Sequence, residues 1–230
     1  MNKPFDVVNG LYFIDEQLSE LEFSLFREFE DMLLNKGYKY LSLPSAGSFD
    51  VIKQQEVIKE TDTLAFDNQH ALFGSAEQGF LYYFQDTNVN TERKYFSLNE
   101  CFRNEKQLNG LKTLYEFKKL EQYIFCKPQN AEKYFNEVLN NSLDFLKRHN
   151  IKCRVVDKTT EDKGYHIKKY DIEVYTKKYG WLETHSCTYF GAEQTKRLNI
   201  GGGMHTISNT GIASPRILIP FMERLGIEIP

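Results

Sequence analysis

The stretch Tyr95–Phe125, YFSLNECFRNEKQLNGLKTLYEFKKLEQYIF, decides how the chain is read. It begins as a strand of aromatic and apolar residues and breaks at the polar run Asn104–Gly110. It returns as a second strand, Leu114–Phe125, rich in Tyr, Phe and Ile. Asn109-Gly110 is the strongest short-range hairpin signal, so the two strands are expected to pair across it. Arg103 closes the first strand and Glu105 follows it, while Phe117 and Glu121 stand four apart on the second. Side chains alternate with a period of two along a strand, so Phe117 and Glu121 share a face. One face of the hairpin thereby offers a cation, a flat ring and a carboxylate. Such a set suits a ligand that carries a phosphate, a ring and an ammonium group.

Working outward from this hairpin, residues 1–15 read as a short extended lead-in. Asp15–Lys36 is a helix: Leu18, Leu21, Phe23, Leu25, Phe26, Phe29, Met32 and Leu33 recur at helical spacing, and Asn35-Lys36-Gly37 is a stop. Tyr38–Leu43 follows as a strand closed by Pro44, and Ser45–Asp67 reads as loops with a short helix. Ala71–Glu77 is an apolar approach to small residues, and Gly74, Ser75 and Ala76 permit close approach of a ligand or another backbone. A helix begins within Gln78–Phe84. Downstream, Asn130–His149 is a helix, and Ile151–Val156, Tyr170–Thr176 and Trp181–Thr188 are strands, the last two paired across Lys177–Gly180. Gln194–Ile200 is basic and irregular. His205–Ser208 reads as a last strand, Asn209-Thr210-Gly211 as a turn, and Ile212–Leu225 as a terminal helix with Pro215 in its first turn. The expected architecture is α+β, an antiparallel β-sheet flanked by helices, in a single domain over residues 1–230.

Composition narrows the function classes. A net charge of −3 gives no global argument for nucleic-acid binding. No apolar run approaches the roughly 18–20 residues that span a bilayer, and MNKPFDVVNG lacks the apolar core of a signal peptide. A cytoplasmic protein without membrane contact is expected. Cys101, Cys126, Cys153 and Cys187 form no C-x-x-C pair and read as reduced, apolar positions. The five histidines are scattered, which disfavours a histidine metal site or a Ser-His-Asp triad. There is no Walker A sequence and no G-x-G-x-x-G. What remains is polar side chains on strands: Arg103, Glu121, Asp171, Glu173, Glu183, Ser186 and Arg216. Glu183 with Ser186, or Asp171 with Glu173, suits a divalent cation through oxygen ligands. Two arginines far apart in sequence suit a polyphosphate clamp. For each residue a structural ion pair is the competing reading.

The order of these pieces resembles the catalytic domain of class II aminoacyl-tRNA synthetases, and within that class the seryl-tRNA synthetases. The helix with GYKYLSLPS (about 21–45) is similar to motif 1. CFRNE (Cys101–Glu105) with GLKTLYEFKKLEQ (Gly110–Gln122) is similar to motif 2, within about 95–125. HTISNTGIASPR (His205–Arg216) is similar to motif 3, within about 204–225. YDIEV, ETHSCT and Lys196-Arg197 recur between them in the family's order.

The resemblance implies ATP-dependent activation of a small amino acid, serine or similar, as its adenylate, with ATP and Mg²⁺ as cofactors. It implies that Arg103 contacts the α-phosphate, Glu105 reads the adenine amino group and Phe117 stacks on the ring. Glu183 and Ser186 would place Mg²⁺ and the phosphates, and Arg216 would hold the far side of the nucleotide. Glu121 would bind the substrate ammonium. Ser75 and Glu77, at the family's Thr-Ala-Glu positions, would line the amino-acid pocket with Ser208 and Thr210. A homodimer is implied through motif 1.

The departures imply the rest. The family's tRNA-binding arm has no counterpart before motif 1, and the loop between Glu105 and Gly110 is short. A non-tRNA acceptor is therefore expected, either a carrier protein or a small-molecule amine or hydroxyl, with tRNA unlikely as a partner. No zinc site is expected, because Ser75 and Ser208 stand where zinc-binding relatives have thiols. Thr113 stands where the family has arginine. The alternatives are a catalytically silent paralogue acting as a regulatory or binding subunit and a minimal seryl-tRNA synthetase.

Overall fold

The computed structural model describes residues 4–55, 60–161 and 164–229. Residues 56–59 of the expected Ser45–Asp67 loop region, and residues 162–163, lie outside them. In chain order the elements are β1 (Phe5–Val8), β2 (Leu11–Ile14), α1 (Glu16–Asn35), β3 (Lys39–Tyr40), β4 (Ala46–Ser48), α2 (Phe49–Gln55), β5 (His70–Leu72), α3 (Ala76–Phe84), β6 (Arg93–Phe102), β7 (Glu116–Cys126), α4 (Ala131–Arg148), β8 (Cys153–Asp157), β9 (Lys168–Thr176), β10 (Gly180–Gly191), α5 (Glu193–Arg197), β11 (His205–Ser214) and α6 (Ile219–Arg224).

Seven strands form one sheet in the order β3-β6-β7-β11-β10-β9-β8. All neighbours run antiparallel except β3, which pairs parallel to β6. The fold is α+β, with a mixed sheet where a purely antiparallel one was expected. The parallel edge arises because β3 reaches β6 by a crossover that holds α2, β4, β5 and α3, and parallel pairing needs a connection of that kind.

The two faces of the sheet have opposite chemistry. One presents Phe96, Leu120, Ile124, Ile207, Ile212, Leu182, Ile172 and Val174 to α1 and α4. Asp15 caps α1 by accepting from the Leu18 amide at 3.0 Å, so the helix begins where the sequence placed it. Leu18, Leu25, Phe29 and Leu33 then fall on one buried stripe. Phe29 meets Phe145 of α4 edge to face, with ring centroids 5.3 Å apart. Gly211 of β11 lies against Phe29; a Cβ there would stand 2.5 Å from Cε1 of that ring. On the opposite face, Phe80 of α3 stacks on Tyr123 of β7 at 4.9 Å, and Val51, Leu81, Phe125, Leu198 and Met204 complete a second apolar cluster. This second cluster covers one end of that face and leaves the other end polar.

Several local expectations are corrected. Residues 5–14 form a β-hairpin, not a simple extended lead-in, and Asn9 and Gly10 both take positive φ (52° and 78°) at its turn. Asn109-Gly110 does not make a tight turn; Gly110–Lys112 is a 3-10 turn inside a longer loop between β6 and β7. The expected strand 38–43 is paired only at Lys39 and Tyr40. Residues 209–212 continue β11, where an extra residue between Thr210 and Ile212 makes a bulge. The polar appearance of Asn209-Thr210-Gly211 reflects a buried site, not a solvent turn. The basic segment after Phe190 holds the short helix α5. Among the described residues, no helix is long and apolar enough to cross a membrane.

Candidate active site

The polar face of the sheet is assembled by register. Cys101 pairs with Phe117, Ser97 with Glu121, and Glu121 with Thr210; Ser208 pairs with Thr188, and Ser186 with Asp171. Cross-strand partners share a face, so residues from five strands of very different sequence position converge there. Glu183 and Ser186 are three apart and would point to opposite faces of a regular strand. A bulge between Glu183 and His185 resolves this. Glu183 pairs with Glu173 and Ser186 with Asp171, so both face the site. His185 is turned into the core, where burial pushes its pKa down to about 4 and Thr184 Oγ1 lies 2.7 Å from Nδ1.

At the enclosed end of this face, Glu121 is 2% exposed. Its Oε1 accepts from the Ser208 hydroxyl, and its Oε2 lies 2.6 Å from Lys119 Nζ. Glu77, in the first turn of α3, is also buried. Its Oε1 accepts from Gln55 Nε2 at 2.5 Å and from Gln194 Nε2 at 2.8 Å. Gln194 is itself fixed, its Oε1 accepting from the Tyr123 and Thr206 hydroxyls at 2.8 and 2.7 Å. Burial first, then the charge of Glu121, pushes the Glu77 carboxyl above its usual range. Two buried carboxylates thus share one buried ammonium, an electrostatic setting that favours a further cation. Ser75 caps α3, its Oγ accepting from the Glu77 amide at 3.2 Å, and Thr210 lies buried beside Glu121 on β11.

The open end is cationic and aromatic. The Arg103 guanidinium lies over the Phe117 ring, 5.2 Å from its centroid, and Nε donates to the Gly74 carbonyl at 3.3 Å. Arg216 follows β11 after Pro215. Its guanidinium donates to the Glu183 carbonyl at 2.9 Å and to the Lys112 carbonyl at 2.5 Å. Burial lowers the Arg216 pKa; Glu183 and Glu105 oppose that effect and Arg103 adds to it. All four charges therefore act around one space. Glu105 sits half-buried in the β6–β7 loop, and Thr113 braces that loop by donating to the Gln107 carbonyl at 3.0 Å.

The sequence-predicted residues thus fall into two adjoining groups. Ser75, Glu77, Glu121, Ser208 and Thr210 cluster at the enclosed end, all of them buried. Arg103, Glu105, Phe117, Glu183 and Arg216 form the open end, and Ser186 lies on the face between them. Sequence reasoning missed Lys119, Gln55 and Gln194. Lys119 was findable, since it alternates with Phe117 and Glu121; the two glutamines carry no local signal. Among the described residues, no group of three or more His, Cys, Asp or Glu is placed to hold a metal. An arrangement of this kind can bind a phosphate ester and a ring at one end and an ammonium group at the other.

The profile described as tRNA synthetase class II core domain (G, H, P, S and T) matches residues 62–219. The chain belongs to the class II tRNA synthetase core family. Its curated relatives include the serine–tRNA ligase of Picrophilus torridus, 30% identical over 236 aligned positions that cover 92% of this chain and 52% of the relative. The serine–tRNA ligase of Deinococcus radiodurans is 37% identical over 130 positions, covering 51% of this chain and 31% of the relative. The class II fold is matched by the seryl-tRNA synthetase of Pyrococcus horikoshii complexed with ATP. Its TM-score is 0.85 and its identity 23%, over 93% of this chain and 53% of that one. The cytoplasmic serine–tRNA ligase of Naegleria fowleri in complex with AMP gives a TM-score of 0.81, also at 23% identity, over 91% and 50% of the two chains. The chain spans about half the length of the curated relatives that it matches along most of its own length.

Proposed function

We propose that this class II synthetase domain activates a small amino acid with ATP as the aminoacyl-adenylate. The observation that carries the reading is the juxtaposition of the Arg103–Phe117 stack and Arg216 with the buried Glu77–Glu121 pocket on one sheet face. A substrate carboxylate oxygen attacks the α-phosphorus, the bond between the α-phosphorus and the bridging oxygen breaks, and pyrophosphate leaves. The attacking carboxylate is already ionised, so no side chain need act as base. Catalysis is positioning plus neutralisation of charge on the phosphoryl oxygens by Arg103. Glu121 takes the ammonium, Phe117 the adenine ring with Glu105 at its amino edge, and Arg216 the remaining phosphates. Serine or an amino acid of similar size fits a pocket edged by Ser75, Ser208 and Thr210. The deciding experiment is amino-acid-dependent exchange of labelled pyrophosphate into ATP, run across the small amino acids. Absence of exchange with all of them would leave the binding-subunit reading in its place.

Glu183 and Ser186 supply the hard oxygen donors that Mg²⁺ takes when ATP phosphates complete its shell. Bound there, Mg²⁺ would neutralise phosphate charge. Glu183→Ala is expected to raise the Mg²⁺ concentration needed for half-maximal exchange about tenfold, measured by Mg²⁺ titration at saturating ATP. An unchanged titration curve would remove Glu183 from the Mg²⁺ role.

For the acceptor, the proposal is a carrier-protein thiol or a small-molecule amine or hydroxyl. The β6–β7 loop supports it, being folded down and pinned by Arg216 at Lys112 and by Thr113 at Gln107. Serine–tRNA ligase is the name of the relatives, and charging of tRNA is the competing outcome. Incubating the labelled adenylate with tRNA and with candidate acceptors separates the two. A homodimer through α1 is part of the same reading. Phe23 is 73% exposed, between a groove of about 610 Å³ along α1 and another of about 690 Å³ walled by the β1–β2 hairpin. Sedimentation at micromolar concentration is expected to give a dimer and Phe23→Glu a monomer; a monomeric wild type would refute it.

A further inference from the structure

Glu22 lies on the sheet side of α1 at 4% exposure, on the stripe that otherwise carries Leu18, Leu25 and Phe26. A carboxylate is costly there unless it is paired and hydrogen-bonded. Its partners come from three different elements. Oε2 lies 2.5 Å from Lys118 Nζ of β7. Oε1 accepts from the Ser214 hydroxyl at the end of β11, and from the Tyr12 hydroxyl of β2 at 3.2 Å.

These contacts meet at one place in the sheet. Lys118 and Ser214 are cross-strand partners and form the terminal pair of the β7–β11 ladder. Beyond that pair the two strands release their site residues. Phe117 precedes Lys118 and, by alternation, stands on the opposite face, beneath the Arg103 guanidinium. Arg216 follows Ser214 by two residues. Tyr12 brings in the hairpin, whose Gly10 carbonyl accepts from the Tyr115 amide at 2.9 Å; the Tyr115 carbonyl in turn accepts from the Arg103 amide at 2.9 Å. One buried carboxylate is therefore tied to the backbone origins of Arg103, Phe117 and Arg216.

We propose that Glu22 is a positioning residue for the nucleotide end of the site, setting from the far face of the sheet where those three side chains stand. The proposal rests on the nucleotide reading above. Stability alone does not account for a charge at this position, because a buried ion pair is often replaced by well-packed apolar residues without loss. What the charge adds is directional bonds that fix α1, β2, β7 and β11 relative to one another at one point.

The test compares Glu22→Leu, Glu22→Gln and Ser214→Ala with the wild type in pyrophosphate exchange and in ¹⁵N spectra of the arginine side chains, assigned with Arg103→Lys and Arg216→Lys. Glu22→Leu is expected to lower kcat/KM for ATP roughly ten- to a hundredfold, the scale for misplaced groups, with the amino-acid KM within twofold of wild type. Glu22→Gln and Ser214→Ala follow in the same direction with smaller losses, and the Arg216 Nε–H signal shifts in all three. Unchanged ATP parameters with an unshifted Arg216 signal would overturn the proposal, as would equal losses for ATP and amino acid. If Glu22→Leu does not fold, Ser214→Ala, which keeps the ion pair, reads the same split. If the wild type shows no exchange, the adenylation reading fails by itself, and the Arg216 signal still decides whether Glu22 sets its position.

Discussion

Arg103→Ala is expected to lower amino-acid-dependent pyrophosphate exchange by about a thousandfold, close to 4 kcal/mol of transition-state stabilisation. The size follows from where the group stands. Its guanidinium is half-buried over Phe117, so its charge would act on a bound phosphoryl group through less water than at an open surface. It is also held in advance, by the ring beneath it and by the Gly74 carbonyl, so no reorganisation is needed as charge develops. The structural cost of the change is small. The side chain's hydrogen bond to Gly74 is long at 3.3 Å and partly exposed, and its loss is worth no more than about 1 kcal/mol. Circular dichroism and the melting temperature should therefore stay near wild type while exchange collapses. Arg103→Lys keeps a charge but loses the planar fork and the stacking, and is expected to recover only about tenfold of the loss. An alanine variant retaining more than a tenth of the exchange rate would show that another group carries the α-phosphate.

How far the site was legible depended on whether its signal was local. The bounds of α1 were readable because a cap, an apolar period and a stop all lie within one segment. Phe117 and Glu121 were placed on one face by alternation alone, and the register agrees. The Asn9-Gly10 hairpin carried an equally local signal, FDVV and LYFI around Asn-Gly, and could have been read. The Asn109-Gly110 pair shows the limit of that rule. Its loop is closed by contacts with distant residues, Arg216 on Lys112 and Gly10 on Tyr115, and these override the dipeptide's preference. The bulges at Thr184 and Gly211 are matters of pairing between strands. Alternation alone would have put Glu183 and Ser186 on opposite faces, and nothing local to β10 announces the extra residue. Gln55 and Gln194, 139 positions apart in the chain, meet only at Glu77. Buried polar partners of this kind are set by tertiary packing.

The second large effect concerns the enclosed pocket. Glu121→Gln is expected to raise the amino-acid KM roughly a hundredfold or more, about 3 kcal/mol, while the KM for ATP stays within twofold. The substitution keeps the shape and the bond from Ser208 but removes the charge. In the wild type, Glu77 and Glu121 outnumber the single ammonium of Lys119, so the pocket has room for one further positive charge. With glutamine at 121, Lys119 and Glu77 balance each other, and an incoming ammonium group would enter a buried site without a counter-charge. The proposed ATP end is expected to be spared because Phe117 lies two alternations away along β7, held from the opposite face of the sheet by Lys118 and Glu22. A second readout tests the electrostatic cause. The Glu121 charge contributes to raising the Glu77 carboxyl, so in the variant Glu77 should ionise at lower pH. Carboxyl ¹³C shifts followed against pH would detect it. An amino-acid KM that did not move, or an ATP KM that rose in parallel, would mean that the ammonium is held elsewhere and that the two ends of the site are not the separate subsites their geometry describes.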